Sequence, residues 1–433
     1  MEINPAVTFK HDRSVMYAKR PKVLIVGAGL AGLTLGMLLD KAGIPFEIYE
    51  RAPKVKPLAG GYIVARPKLY DLLYSQVPPE RLHMGKKVLS MDQGGNGVIL
   101  RFSDGTEAEG DILVGADGAY SAVRQGLYDK LKKEKRLPTG DGLPLPFTTI
   151  YLVGQTRPLT AEEFPDVDLP DCQFRTTIGT DKPFSWKTFT TKQKTVCWIA
   201  MQFLDDESSK ENDAFRNSEW GPEAAQAMSE QVRDFPVISG RTEGVTIGDL
   251  IDWSPKEMIS KVMLEEKVFE TWFDCRTVLI GDACHKFNPS GGVGATNAIN
   301  DAIVLANVIN GLPFHPIASE IEDAFRDYKK ERIEWVKKAF SSSAMFRTQA
   351  GPTLVAKTVR FVAKHISAWA MRKVELRVFS NRPSAAFLPL QEDTGSVRPV
   401  FQPSLLVKAP VEEKNDVEGG PEEVVVEGAT QAV

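Results

Sequence analysis

Apolar residues along this chain fall into runs with two different periods. Lys22 to Val26 (KVLIV) is a continuous apolar run of strand length, whereas from Leu30 to Lys41 the apolar positions return every three or four residues, as on one face of a helix. Phe46 to Tyr49 is again a strand, so the opening segment predicts a βαβ unit. Between Lys86 and Ala116 the runs KKVLSM, GVILRFS and DILVGA are separated by GGNG and DGT, which are hairpin-turn compositions. That pattern predicts a β-meander ending in a core strand.

From about Pro144 to Lys267 the pattern changes to aromatic and β-branched runs, FRTTIGT, FSWKTFTT and TVCWIAMQFL, with Pro-, Asp- and Glu-containing loops between them. An antiparallel sheet is expected there, of a length that suits a substrate cover. The core pattern returns at Thr277 to Ile280 (TVLI), after which GDACHKFNPSGGVGA opens a helix through about Ile309. Helical periodicity resumes from Ile321 to Phe346 and from Leu354 to Phe379. The stretch Val411 to Val433 holds seven acidic residues, one lysine and no aromatic residue, so it cannot bury enough surface to offset ordering entropy and is expected to be a disordered acidic tail. The domain expectation is a lead-in at 1–20, an α/β core from 21–140 and 268–350, an antiparallel domain at 141–267, a helical and extended region at 351–410 and a tail at 411–433.

Composition narrows the function. A chain of 433 residues is long enough for one large or two moderate domains. A net charge of -4 gives no long-range attraction to polyanions, so nucleic acid is not an expected partner. Neither a signal-peptide core in the first twenty residues nor an apolar window of membrane-spanning length is present, and a cytoplasmic protein is expected. Cys172, Cys197, Cys275 and Cys284 show no CxxC spacing and read as reduced thiols.

The first candidate chemistry is GAGLAG, directly after the strand KVLIV and directly before a helix. In that setting Gly27, Gly29 and Gly32 allow a tight turn, close backbone approach to a pyrophosphate and helix packing on the sheet. The helix N-terminus aims unpaired amides and the positive end of its dipole at phosphates. Gly27, Gly29, Leu30, Ala31 and Gly32 are therefore candidate dinucleotide contacts. Glu50, at the end of the second strand with Arg51 beside it, stands where a carboxylate accepts hydrogen bonds from a ribose. A plain βα turn and a solvated strand-end charge are the bland alternatives; together the residues favour a nucleotide.

GAGLAG with Glu50, then GADGAYSAVR (Gly115 to Arg124), then RTVLIGDACHKFNPSGGVGATNAINDA (Arg276 to Ala302) occur in the order found in the FAD-dependent single-component flavoprotein monooxygenases, the aromatic-ring hydroxylase family. The chain resembles that family. The resemblance implies an α/β fold: a Rossmann-type FAD-binding core with a parallel sheet and β-meander, an antiparallel-sheet substrate domain and C-terminal helices. It implies that Asp282 holds the ribityl chain of FAD, and that Pro289, Gly291 and Gly292 let backbone approach the isoalloxazine. It further implies that amides at Val293, Gly294 and Ala295, opening a helix, lie beside the flavin pyrimidine edge, where such a terminus favours the negative charge of reduced flavin. Asp117 in the DG motif is implied to serve both FAD and an incoming nicotinamide cofactor. Arg124 is either a phosphate-placing residue or a solvated charge, and Arg66 in ARPKLYDLL matches an arginine near the FAD pyrophosphate.

The activity so implied is an oxidoreductase: NADH or NADPH reduces FAD, and dioxygen then supplies one oxygen atom to a hydrophobic aromatic or polyene small molecule, giving a hydroxylase or epoxidase. Family members place a long segment between the strand-two glutamate and the arginine helix. Here Glu50 and Arg66 are separated only by RAPKVKPLAGGYIVA, so a segment near 59–62 is missing relative to the family, and a catalytically impaired FAD-binding variant is the alternative reading.

No acid-base pair is assigned. His285 reads as a structural hydrogen-bonding residue rather than a base, while His83, His315 and His365 show no metal-ligand spacing, so no metal is expected. Phe184, Trp186, Phe189 and Trp198 read as sheet core before they read as a substrate pocket. A halogenase-type WxWxIP motif and a second GxGxxG are both absent. Lys357, Arg360, Lys364, Arg372, Lys373 and Arg377 interleave with apolar residues, which suits a membrane-surface helix but is expected first of a helix packed on the core with solvated charges.

Overall fold

The structure is a computed structural model that describes residues 19–53, 66–145, 147–179, 182–204, 222–237, 244–288, 292–349, 353–367, 369–370, 372–373, 380–390, 392 and 397–411. The lead-in up to residue 18, the short junction near 59–62 and the acidic tail from residue 412 lie outside the described residues.

β1 (Val23–Val26) has every residue buried, as a strand covered on both faces must. α1 (Leu30–Lys41) follows after a glycine turn, and β2 (Phe46–Glu50) returns parallel to β1 with Val23 opposite Phe46 and Val26 opposite Tyr49. Beyond α2 (Arg66–Ser75), the three-residue β3 (Leu82–Met84) extends the sheet past β2. β4 (Val88–Gly94), β5 (Gly97–Phe102) and β6 (Glu107–Gly110) form the expected meander, and β7 (Ile112–Gly115) drops back beside β1. α3 (Ala122–Lys133) leads to the single turn α4 (Thr139–Gly142).

The middle of the chain contributes β8 (Phe147–Gln155), β9 (Phe174–Ile178), β10 (Phe184–Thr190), β11 (Val196–Phe203), α5 (Pro222–Val232), α6 (Ile247–Asp252) and β12 (Ser260–Glu265). Its strands make an antiparallel sheet in the order β12-β8-β11-β10-β9. Alternation along the strands splits the side chains between two faces. Phe184, Trp186 and Trp198 pack with Val232, Phe235 and Leu250 in one buried cluster, while Tyr151, Met201 and Phe203 form a second cluster on the other face. Trp186 and Trp198 are thus core, and their ring N–H groups are satisfied by the Pro236 carbonyl at 2.8 Å and Ser254 Oγ at 2.9 Å.

The chain then returns through β13 (Lys267–Val268), β14 (Phe273–Asp274), β15 (Thr277–Leu279) and β16 (His285–Lys286) to the long helices α7 (Gly294–Asn310), α8 (Ala318–Gln349) and α9 (Leu354–His365). The completed main sheet runs β14-β15-β7-β1-β2-β3, parallel except at β14. The meander is tied to it by Arg276, whose guanidinium donates to the carbonyls of Gly94, Gly95 and Asp111. None of the described helices is long and apolar enough to cross a membrane.

Two expectations at the C-terminus change. The helix expected through Phe379 is interrupted: α9 ends at His365, where Ile366 takes an extended backbone, residues 369–370 and 372–373 are helical again, and 374–379 lie outside the described residues. Nor is α9 packed through its apolar stripe: Leu354, Val355, Phe361 and Val362 face solvent, and among its described side chains only the small one of Ala356 is fully buried. Periodicity shows that a helix has an apolar face but not whether the fold supplies a neighbour for it.

Candidate dinucleotide-binding site

β2, β1, β7 and β15 lie side by side and parallel, so their carboxyl ends share one edge of the sheet. Backbone bonds continue the ladder just past the strands: Gly27 N–H to the Tyr49 carbonyl (2.8 Å), Ala116 N–H to Val26 (2.8 Å) and Ile280 N–H to Gly115 (3.0 Å). Glu50, the GAGLAG loop, the DG loop and the Gly281–Ala283 turn therefore form four adjacent segments of one rim. In open α/β sheets this rim is where ligands bind.

The three fingerprint glycines play three different parts. Gly27 has φ +107°, and a Cβ there would lie 2.4 Å from the Ala116 carbonyl oxygen, so the turn and its contact with the next loop both need a bare Cα. At Gly32 a Cβ would sit 2.0 Å from the Gly27 carbonyl oxygen, so helix and loop touch through backbone. Gly29 is different: its φ of -79° is ordinary, and a Cβ would meet nothing within 4 Å. What Gly29 leaves open is a space in front of the first turn of α1, into which that turn's unpaired amides point. No side chain caps α1, and neighbouring Leu30 and Ala31 are buried.

The second glycine loop reaches the same place. Gly281, at φ +60°, is wedged between helices: a Cβ there would lie 3.1 Å from the Ala298 methyl of α7 and 3.4 Å from the Ala31 methyl of α1. α1 and α7 pack along each other, and both meet Gly281 near their N-terminal ends, through Ala31 and Ala298. α7 starts at Gly294 after Gly292 (φ +63°), again with no side-chain cap on its N-cap residue Val293 and with nothing within 4 Å of a Cβ at Gly294. By contrast α3 is capped by Ser121 and α9 by Thr353. Two uncapped, glycine-fronted helix termini at one rim provide unpaired donors and two positive dipole ends, which is the donor set a diphosphate and an electron-rich ring edge require. Ala295 is exposed beside them.

The acidic candidates are held by the protein itself. Glu50 accepts from the Ala28 and Ala52 amides, each at 2.9 Å, which fixes the carboxylate across the mouth of the GAGLAG loop, and Arg51 beside it is exposed. Asp117 accepts from Ser121 Oγ (2.5 Å) and from the Ala122 (2.6 Å) and Val123 (3.2 Å) amides at the start of α3. Burial pushes its carboxyl up, with those hydrogen bonds opposing. Asp282 stands on the rim but accepts from Lys286 Nζ at 2.6 Å. Arg66 opens α2, while its side chain, together with Pro289 and Gly291, lies outside the described residues.

Arg124 is neither a phosphate clamp nor a solvated charge. Buried over the Phe269 ring at 4.3 Å, it donates to the carbonyls of Ala283 (2.8 Å) and Ala119 (2.5 Å) and so locks the DG loop to the Gly281–Ala283 turn. A second buried network escaped the sequence reading. Asp301, on α7, accepts from the Gly281 amide (2.9 Å), lies 2.6 Å from His285 Nε2 and accepts from Arg332 Nε of α8 (2.7 Å), while Arg332 also donates to Asn297 Oδ1 (2.8 Å). Burial alone would push the Asp301 carboxyl up, but His285 and Arg332 outweigh it and hold it down at about 2. Cys284, His285 and Asp301 bring ligand-type atoms within 4.8 Å of one another, yet both carboxylate oxygens are engaged, one by His285 and the other by the Arg332 guanidinium. The cluster is an ion-pair network that supports the wedge at Gly281. An aspartate among apolar residues in NAINDAIVLA was its one visible sign.

Comparison with known proteins agrees with this geometry. A family model described as FAD binding domain matches residues 20–66 and 191–339. The FAD-dependent monooxygenase cle3 of Aspergillus versicolor is 26% identical over 408 residues, covering 78% of each chain. The FAD-dependent monooxygenase paxM of Penicillium paxilli is 28% identical over 325 residues, covering 70% of this chain and 63% of the relative. Klebsiella pneumoniae HpxO, solved with FAD and uric acid, superposes with a TM-score of 0.58 at 17% identity, covering 84% of this chain and 95% of that one. Nothing in these likenesses favours the impaired variant that the short junction suggested. With the fold and the paired helix termini, these likenesses make the chain similar to the FAD-dependent monooxygenases, with a match to their FAD binding domain.

Proposed function

We propose that one extended FAD lies across both glycine loops, that NADH or NADPH reduces it, and that the oxygenated substrate is a hydrophobic aromatic or polyene small molecule. The observation that carries this is the convergence at Gly281, where the turn after β15 meets the first turn of α1 through Ala31 and the first turns of α7 through Ala298. A ligand binding both uncapped termini must span that wedge.

In this reading the first-turn amides of α1, bared at Gly29, bind the pyrophosphate, and Glu50 is positioned for the adenosine ribose. Pro289, Gly291, Gly292 and Val293 with Gly294 and Ala295 flank the ring, and the α7 terminus stabilises negative charge on its pyrimidine edge. Asp282 serves the ribityl hydroxyls, with Lys286 Nζ 2.6 Å from the carboxylate. Arg51, Arg66 and Asp117 complete the candidate set. Bound FAD would supply the electron transfer and the activation of dioxygen, while the chain orients the partners and excludes water. Tyr151, Met201 and Phe203 support an apolar substrate, because their sheet face joins the flavin loop through Tyr151 Oη donating to Asn288 Oδ1 at 2.8 Å.

The test is aerobic oxidation of NADH and of NADPH by the purified yellow protein across a panel of phenols and polyenes, with mass analysis of the product. The expected result is substrate-stimulated consumption of one nicotinamide and a product gaining one oxygen atom. Flavin-bound protein that oxidises neither nicotinamide, or that transfers no oxygen, would overturn the proposal.

A further inference from the structure

α9 presents its apolar face outwards. Leu354, Val355, Thr358, Phe361, Val362 and His365 follow the spacing of one helical face, and of these Leu354 is 80% exposed, Phe361 64% and Val362 57%. On the opposite side Ala356 is fully buried and α9 rests against α8. Four large apolar side chains on one solvent-facing stripe call for a covering partner.

Charge identifies that partner. From Trp335 to Val374 the sequence holds eight lysines and arginines and no aspartate or glutamate, in a chain whose net charge is -4. Lys357 and Lys364 flank the apolar stripe and are exposed. Past the helix end Trp369 is 67% exposed, with Lys373 Nζ 3.9 Å from its ring centroid. An apolar stripe edged by lysines, followed by a tryptophan under a cation, matches the boundary between acyl chains and anionic headgroups.

We propose that α9 and the basic stretch around it dock this protein onto the surface of an anionic lipid bilayer. The helix lies in the interface plane, with Leu354, Val355, Phe361 and Val362 entering the acyl boundary and Lys357, Lys364 and Lys373 meeting phosphate and carboxylate headgroups. A protein surface of mixed charge would not reward a segment so uniformly basic. The proposal is independent of the flavin site, since none of these residues belongs to it.

The test is flotation of the full-length protein with vesicles of phosphatidylcholine alone and of phosphatidylcholine with phosphatidylserine. Binding is expected to the serine-containing vesicles, to fall as salt is raised, and to be much weaker on phosphatidylcholine alone. Lys357→Gln with Lys364→Gln should weaken it about 25-fold, at roughly fivefold per charge removed. Phe361→Glu with Val362→Glu should abolish it while leaving flavin absorbance and thermal unfolding as in the parent, because the substituted side chains are exposed. Should that variant fail to fold, the lysine pair still decides. Flotation that is absent, or indifferent to lipid charge and to both variants, overturns the proposal. So does a dimer in light scattering that dissociates in the Phe361 variant, which would make a second copy the cover.

Discussion

Replacing Gly29 and Gly32 by alanine, one at a time, separates a glycine that the ligand needs from a glycine that the fold needs. At Gly29 the backbone is in an ordinary region and a Cβ meets nothing within 4 Å, so the apoprotein accommodates a methyl group without strain. Alanine is a poorer N-cap than glycine by up to about 1 kcal/mol. The loss of unfolded-chain freedom on going from glycine to alanine offsets this by about 0.4–1 kcal/mol. Apoprotein stability should therefore move by less than about 1 kcal/mol. At Gly32 the Cβ falls 2.0 Å from the Gly27 carbonyl oxygen, and loop or helix must shift. A backbone clash of that size should destabilise by about 3 kcal/mol.

The ligand reverses the order of surprise. A methyl group at Gly29 occupies the space through which a diphosphate reaches the α1 amides, and losing two hydrogen bonds to a charged group, about 1.5–3 kcal/mol each, weakens FAD by at least about 100-fold. Urea unfolding of the apoproteins and fluorescence titration with FAD measure both quantities. Gly29→Ala that binds FAD within about threefold of the parent would refute the assignment of the open space to the pyrophosphate. An unperturbed Gly32→Ala would refute the packing argument.

Other consequences can be measured in the same way. Asp282→Ala should lose retained FAD while Lys286→Met keeps it, because their partly exposed ion pair is worth no more than about 1 kcal/mol and the proposed site gives the ribityl contact to the carboxylate alone; equal flavin content in parent and Asp282→Ala removes Asp282 from the site. Asp301→Asn should destabilise by about 3–5 kcal/mol in urea at neutral pH, since it leaves the Arg332 guanidinium buried without its anion. The folded carboxyl lies below its unfolded value, so its contribution, about 2 kcal/mol, is fully present above the unfolded pKa near 4 and fades as pH falls towards 2, and the gap between parent and Asp301→Asn should narrow over that window. Arg124→Met should lower stability by about 3–6 kcal/mol through two lost charged hydrogen bonds, with the nicotinamide KM unchanged; an unperturbed melt with a raised KM would return Arg124 to the phosphate role.

What could be read from the sequence was whatever is written in local spacing. The bounds of α1 follow from GAGLAG and the 3.6-residue period, and the meander from turn residues between apolar runs. β3 was passed over because three residues carry no period. Side-chain partners distant in sequence were not legible: Arg332 lies 31 residues beyond Asp301, and no spacing rule joins an aspartate on one helix to an arginine on the next. Arg124 misled for the same reason, as the Phe269 ring that buries it comes from a segment beyond the whole antiparallel sheet. α9 shows the limit from the other side, since its stripe was visible and its orientation was not.

Crystals grown with FAD offer the most direct test. The expected density is one continuous dinucleotide, its pyrophosphate within hydrogen-bond reach of the first-turn amides of α1 and its pyrimidine edge at the Gly294 and Ala295 amides of α7. Density confined to one helix terminus, or a ring bound away from α7, would contradict the central claim.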